Sequence, residues 1–288
     1  MVVSFSRLSS IDQCPYQYYL TYVKECGSCK HYDQEFASCA NEKCIYFGRD
    51  VKTNACCDKY RGFKRKDNAF AQCGSLVHEI MEGYAKDRFM LGELGQIFED
   101  NFSNYVTEKF PPNKFVDLKE SYYTGSYDYL DNFEGFDGYE IVGSEIEFTY
   151  EVCGDHLHGV IDLLLRDKKD GELVLYDYKS KSSFKSNEEK KKYARQLYLY
   201  SEYVKQNFGK YPKAMGFILF RKNKKIAIPF NKDDLNEAFV WVTDQLFKIK
   251  NTEEFPARYD EFFCDHLCSF SESCAKKNIV LEDEEWME

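Results

Sequence analysis

Residues 173–182 read "LVLYDYKSKS". Along an extended chain, successive side chains alternate between faces. Leu173, Leu175, Asp177 and Lys179 then share one face, and Val174, Tyr176 and Tyr178 share the other. Both faces begin apolar, so the segment predicts a strand covered on both sides. That requires a sheet with packed layers above and below it. An ionised carboxylate inside such a strand is costly unless it is paired or binds a metal. Any fold of this chain must therefore account for Asp177 and Lys179, one tyrosine apart on the same face.

The remaining segments supply a sheet and its layers. Helical pieces interrupted at Pro15 are expected over residues 4–24. Leu76, Val77, Ile80, Met81 and Tyr84 form an apolar stripe at helical spacing within residues 70–90. More helix is expected to about residue 135, broken at Pro111 and Pro112. "YEIVGSEIEFTYEV", "LHGVIDLLLRD" and "ELVLYDYKS" read as three strands, and residues 188–207 as a helix. "AMGFILFR" and "KIAIPF" read as two more strands, with a last helix over 231–250. The fold class is mixed α/β (α+β), with a central mixed sheet flanked by helices.

Asp170-Gly171, between the second and third strands, is a hairpin-turn signal. A turn centred there sets Asp162 opposite Lys179, or opposite Asp177 if it centres one residue earlier. Two carboxylates converging in an apolar sheet repel each other. A divalent cation relieves the repulsion, and oxygen ligands suit Mg²⁺ or Mn²⁺. A nearby lysine can then orient a water or stabilise charge developing on a phosphate. The plain alternative is a salt bridge at a strand end.

The chain has 288 residues, 43% hydrophobic, which excludes a disordered protein and suffices for one large domain with a small module. No long apolar run occurs, so no transmembrane helix and no membrane partner are expected. The N-terminus has no basic-then-apolar leader pattern, so a cytoplasmic location is expected (host cytoplasm if viral). The net charge of −10 argues against bulk attraction to nucleic acid. The stretches 179–195 and 221–225 are nevertheless basic, and are either solvated faces or local phosphate-attracting fields.

Twelve cysteines in such a chain point to metal ligands more than to disulfides. Cys26, Cys29, Cys39 and Cys44 have the spacing of a Zn²⁺ knuckle, with free loop thiols as the alternative. Their segment, 25–62, has too few apolar residues for a core of its own and reads as a cysteine-rich insert. Cys264, Cys268 and Cys274 crowd near the other end and lack a fourth ligand.

In order, "GSLVHEIME", "GVID", "YDYKS" and "RQLYLYSEYV" resemble the PD-(D/E)XK nuclease superfamily, and within it the RecB-like branch. That branch includes the nuclease domains of bacterial helicase–nucleases, CRISPR-associated RecB-like exonucleases and phage exonucleases. The resemblance covers residues 1–24 and 63–288. It implies a metal-dependent DNA exonuclease acting in recombination, repair or CRISPR-type end processing. His78, Asp162, Asp177 and the main-chain carbonyl of Tyr178 would hold Mg²⁺ or Mn²⁺. Glu145 matches a further acidic position, Lys179 the catalytic lysine, and Gln196 and Tyr200 the Q-x3-Y element.

The iron–sulfur members of this branch take a fourth cysteine from near the N-terminus, before a proline. Cys14 matches, so Cys14, Cys264, Cys268 and Cys274 would hold a 4Fe-4S cluster and staple the two ends of the chain together. A structural Zn²⁺ on the same cysteines and reduced thiols stay open. The expected partner is DNA, single-stranded or with free ends, contacted by Lys181, Lys185, Arg195 and Arg221. A recombination, replication or CRISPR protein could act with it. The rival reading is a catalytically silent nucleic-acid- or protein-binding module on the same fold.

Overall fold

The computed structural model describes residues 1–23, 67–271 and 274, with the backbone of 32–33 and 38–39. The expected zinc ligands Cys26, Cys29 and Cys44 lie outside the described residues, as does the side chain of Cys39. The chain divides into two compact units, Met1–Phe5 with Ala69–Leu246 and Ser6–Asn68 with Phe247–Glu288. In chain order the elements are β1 (Val2–Ser4), α1 (Phe5–Gln13), α2 (Pro15–Tyr18), β2 (Tyr32–Asp33), β3 (Ser38–Cys39), α3 (Ala69–Ala85), α4 (Leu94–Tyr105), α5 (Leu118–Asp131), β4 (Tyr139–Val152), β5 (Asp155–Asp167), β6 (Leu173–Lys179), α6 (Asn187–Phe208), β7 (Ala214–Leu219), β8 (Lys224–Pro229) and α7 (Lys232–Asn251). Among the described residues no helix is long and apolar enough to cross a membrane.

The first unit is built on a six-stranded mixed sheet in the order β1-β5-β6-β7-β8, with β4 also paired to β5. β5 runs antiparallel to β4 along its length. Its opposite edge is shared, with β1 parallel at residues 156–158 and β6 antiparallel at 163–166. The parallel pairing of β6 with β7 needs a crossover, and α6 supplies it. Ser186 starts α6 by accepting the Glu189 amide, and Gly209 ends it at φ +79°.

One sheet face buries Leu163, Leu165, Val174, Tyr176, Tyr178 and Ile218 against Leu76, Ile80 and Met81 of α3, Phe98 of α4 and Tyr129 of α5. Burying each side chain of this size contributes roughly 1.5–3 kcal/mol before the entropy of ordering it is subtracted. On the other face α6 packs through Tyr200 and Tyr203, whose rings lie 4.9 and 4.5 Å from that of Phe148. Leu173 to Tyr178 are all buried, as a strand covered on both sides requires.

Two details differ from the sequence reading. Residues 2–4 form a strand, β1, where helical pieces were expected from residue 4. The β5–β6 turn is a four-residue loop rather than a two-residue one. The Asp167 N–H donates to Glu172 O, and Gly171 takes φ +72°. Leu163 therefore faces Tyr176 and Arg166 faces Leu173, which is the second of the two registers expected from the sequence, the one that sets Asp162 opposite Asp177. Lys213 ion-pairs with Asp167 at 2.5 Å and Asp170 at 2.8 Å, a tie from a distant part of the chain that no local signal encodes.

Candidate active site

The site forms where β5 and β6 part. Their ladder ends at Leu163–Tyr176, so Asp162 and Asp177 lie just beyond it. There the Asp162 Oδ2 accepts the Tyr178 N–H at 2.9 Å, standing in for a ladder bond. Asp177 is 3% exposed and forms an ion pair with Lys179 Nζ at 2.6 Å. β7 holds this end of β6 on its other edge, up to Lys179 opposite Leu219.

α3 brings His78 over this gap. Its Nδ1 lies 3.7 Å from both Asp162 Oδ2 and Glu145 Oε1, and its Nε2 is 3.3 Å from the Tyr178 carbonyl oxygen. Ligand atoms of His78, Glu145 and Asp162 all lie within 4.8 Å of one another, close enough to share one cation. Asp177 stands outside that group, paired with Lys179.

Glu145 adopts φ +50°, the left-handed region that a non-glycine residue rarely occupies. Its neighbours Ser144 and Ile146 pair with Leu163 and Ile161, which puts Glu145 across from Asp162. The Ser144 hydroxyl donates to the Asp162 carbonyl at 2.8 Å and fixes the local backbone.

The electrostatics are those of crowded carboxylates. Burial, then the charge of Asp177, pushes the Asp162 carboxyl up to about 7, against the opposing effects of His78, Lys179 and the Tyr178 N–H. Burial alone would lower the His78 pKa, but Glu145, Asp162 and Asp177 outweigh it and raise it. Lys179 follows the same pattern: burial disfavours its charge, and Asp177 and Asp162 restore it and raise its pKa.

Gln196 and Tyr200 share a face of α6, where the Gln196 amide donates to the Tyr200 hydroxyl at 3.1 Å. Gly159 makes room for that face, since a Cβ there would sit 2.8 Å from Tyr200 and 2.6 Å from Phe148. Tyr193, not among the expected site residues, also reaches this region: its ring centre lies 5.8 Å from Lys179 Nζ and 4.9 Å from Lys181 Nζ. Its spacing of seven from Tyr200 was the available signal.

Three of the four basic residues expected at DNA have internal partners. Lys181 ion-pairs with Glu189 at 2.7 Å, and Arg195 lies 5.2 Å over the Trp241 ring. Arg221 donates to Ser180 O and Ser121 Oγ. Lys185 is exposed.

In the second unit, Cys14, Cys264, Cys268 and Cys274 line one small, largely apolar cavity of about 30 Å³. The Gln17 amide donates to Cys14 Sγ and the Asp260 amide to Cys264 Sγ, each at 3.5 Å. Burial, with the neighbouring sulfurs adding to it, pushes the Cys268 thiol up to about 11.

The model of the PD-(D/E)XK nuclease superfamily matches residues 56–275, so the chain belongs to that superfamily. Nucleases of this kind use divalent metals, and the His78–Glu145–Asp162 group is a candidate place for one. Solved structures similar to the chain include a candidate exonuclease from Eubacterium rectale, 16% identical, covering 75% of this chain and 79% of its own with a TM-score of 0.42. Another is SSO0001, 13% identical, covering 76% and 92% with a TM-score of 0.33. No curated protein matches the chain.

Proposed function

We propose that this chain is a metal-dependent deoxyribonuclease of the RecB-like type, an exonuclease that trims DNA ends in recombination, repair or CRISPR-type processing. The observation that carries the reading is the meeting of His78, Glu145 and Asp162 beside the Asp177–Lys179 ion pair, on a superfamily member. A binding-only module would gain nothing from burying charges that destabilise one another.

His78, Glu145 and Asp162 would hold Mg²⁺ or Mn²⁺, with Asp177 and the Tyr178 carbonyl adjoining. When bound, the cation supplies Lewis-acid polarisation of the scissile phosphate and a more acidic water. The chain does the rest. Lys179, kept charged by Asp177, stabilises negative charge growing on the phosphate and orients the attacking water. Tyr200 and Gln196 form a wall beside it. Lys185 and the exposed lysines of β8 offer attraction to the DNA backbone.

The four cysteines fit a 4Fe-4S cluster. They share one apolar cavity, and the sulfurs of Cys14 and Cys264 already accept backbone amides, as cluster thiolates do. DNA is the proposed substrate, and a recombination, replication or CRISPR protein a proposed companion. The residue 25–62 insert is proposed as a zinc-binding lobe.

The test is degradation of linear DNA with Mn²⁺ or Mg²⁺ by the wild type and by Asp162→Asn and Asp177→Asn. Each variant should lose at least about a hundredfold in rate while staying folded. Undiminished cleavage by Asp177→Asn would sink the assignment.

A further inference from the structure

Lys179 is the last residue of β6, and the strand is held there on one edge only. The ladder to β5 stops at Tyr176, and the ladder to β7 ends at Lys179 itself. The next residue, Ser180, begins a loop that runs to the start of α6 at Asn187. An unsecured chain at this point would let the ammonium swing away from Asp177.

Arg221 secures it. Arg221 lies in a short 3-10 turn, Phe220–Lys222, directly after β7. Its Nη1 donates to the Ser180 carbonyl at 3.2 Å, and its Nη2 donates to the Ser121 hydroxyl of α5 at 2.8 Å. The guanidinium carbon sits 3.5 Å from the ring centre of Tyr122, also on α5. α5 can approach this closely because residue 125 is glycine: a Cβ there would stand 2.8 Å from Arg221 O and 3.2 Å from its Cα. One side chain thus joins the peptide after Lys179, the turn after β7 and the first turns of α5.

We propose that Arg221 is a positioning residue for Lys179. By clamping Ser180 to α5 it keeps the Lys179 ammonium over the reacting phosphate and beside Asp177. The chemistry selects arginine: a planar fork reaches two acceptors on different elements while its face stacks on an aromatic ring, and one ammonium cannot do all three. The same geometry argues against Arg221 as a DNA-backbone contact, because the donors a phosphate would take are directed at Ser180 and Ser121.

The role in turnover rests on the nuclease reading, and the positioning of Lys179 can be measured without it. Arg221→Ala, Arg221→Lys and Ser121→Ala would be compared with wild type by Mn²⁺-dependent cleavage of linear DNA. In parallel, acetylation of Lys179 at one fixed pH would be followed by mass spectrometry against exposed Lys224. In Arg221→Ala, kcat should fall roughly tenfold to a hundredfold with KM nearly unchanged. Lys179 acetylation should rise severalfold, and added guanidinium should reverse part of both effects. Arg221→Lys should not restore the wild-type values, and Ser121→Ala should move both readouts the same way by less. A raised KM with intact kcat would overturn the proposal and make Arg221 a DNA contact. Unchanged Lys179 acetylation in folded Arg221→Ala would overturn it too. If Arg221→Ala does not fold, unchanged readouts in Ser121→Ala overturn it. If the wild type cleaves no DNA with any divalent metal, the nuclease reading fails, and acetylation alone decides the clamp.

Discussion

Asp162 and His78 are both more basic in the folded chain than they would be in an unfolded one, Asp162 at about 7 through burial and the neighbouring Asp177. The sign of the consequence follows from proton counting. Between the unfolded and folded pKa values the native state binds more protons, so stability falls as pH rises through that window. Metal-free protein should therefore melt at a lower temperature at pH 8 than at pH 5.5. Mn²⁺ should raise the melting temperature more at pH 8, because binding replaces those protons. Differential scanning fluorimetry with and without metal reads this directly, and a metal effect independent of pH would contradict it. Glu145 carries a different cost at the same site. Its left-handed backbone should cost of order 1–3 kcal/mol, which a glycine would relieve. Glu145→Gly should leave the metal-free protein as stable as wild type or more so, while weakening Mn²⁺ binding. Urea denaturation and calorimetric titration check the two halves. A plain loss of stability would mean that Glu145 is structural.

At the scale of elements, two glycines make opposite predictions. Gly216 lies in the middle of β7, where a Cβ would stand 2.2 Å from the Ile226 carbonyl and 2.9 Å from Tyr176. Backbone cannot yield as a side-chain tip can, so Gly216→Ala should destabilise by at least about 1–3 kcal/mol. Gly74 is helical in α3 with nothing within 4 Å of its would-be Cβ. Gly74→Ala should stabilise by up to about 1 kcal/mol through helix propensity. Urea denaturation of both variants checks the pair, and a neutral Gly216→Ala would refute the close packing. The long elements were legible in the sequence because hydrophobic period is local: β6 falls where its apolar pattern ends, and α3 stops at Ala85, just past Tyr84 and short of the expected residue 90. β1 was not, since three residues carry no period. The β5–β6 loop was not either, because Lys213 ties it from a distance.

At the scale of the whole molecule, the proposed cluster joins Cys14 to three cysteines some 250 residues later, at one cavity of the second unit. Protein purified without oxygen should be brown and carry about four irons per chain, and Cys268→Ala should lose iron and melt earlier. The high pKa of the metal-free Cys268 thiol means that ligation must displace its proton, so reconstitution should slow as pH falls. Iron and zinc counts with an absorption spectrum decide it, and an iron-free anaerobic preparation would rule the cluster out.

The sequence alone marked the residues proposed for the site and their order along the chain. Asp162, Asp177 and Lys179 stand out because charge in a buried strand must be compensated, and that rule needs no coordinates. It also set the sheet class, because two apolar faces on one strand require two covering layers. Only the tertiary structure decided which groups meet. It grouped Glu145 with His78 and Asp162, left the locally paired Asp177 and Lys179 outside that group, and turned Arg221 inward toward Ser180. Those outcomes depend on where β5 and β6 part, on a left-handed residue in β4 and on how closely α5 approaches the turn after β7. Each is fixed by contacts between segments far apart in the chain, beyond the reach of any local pattern.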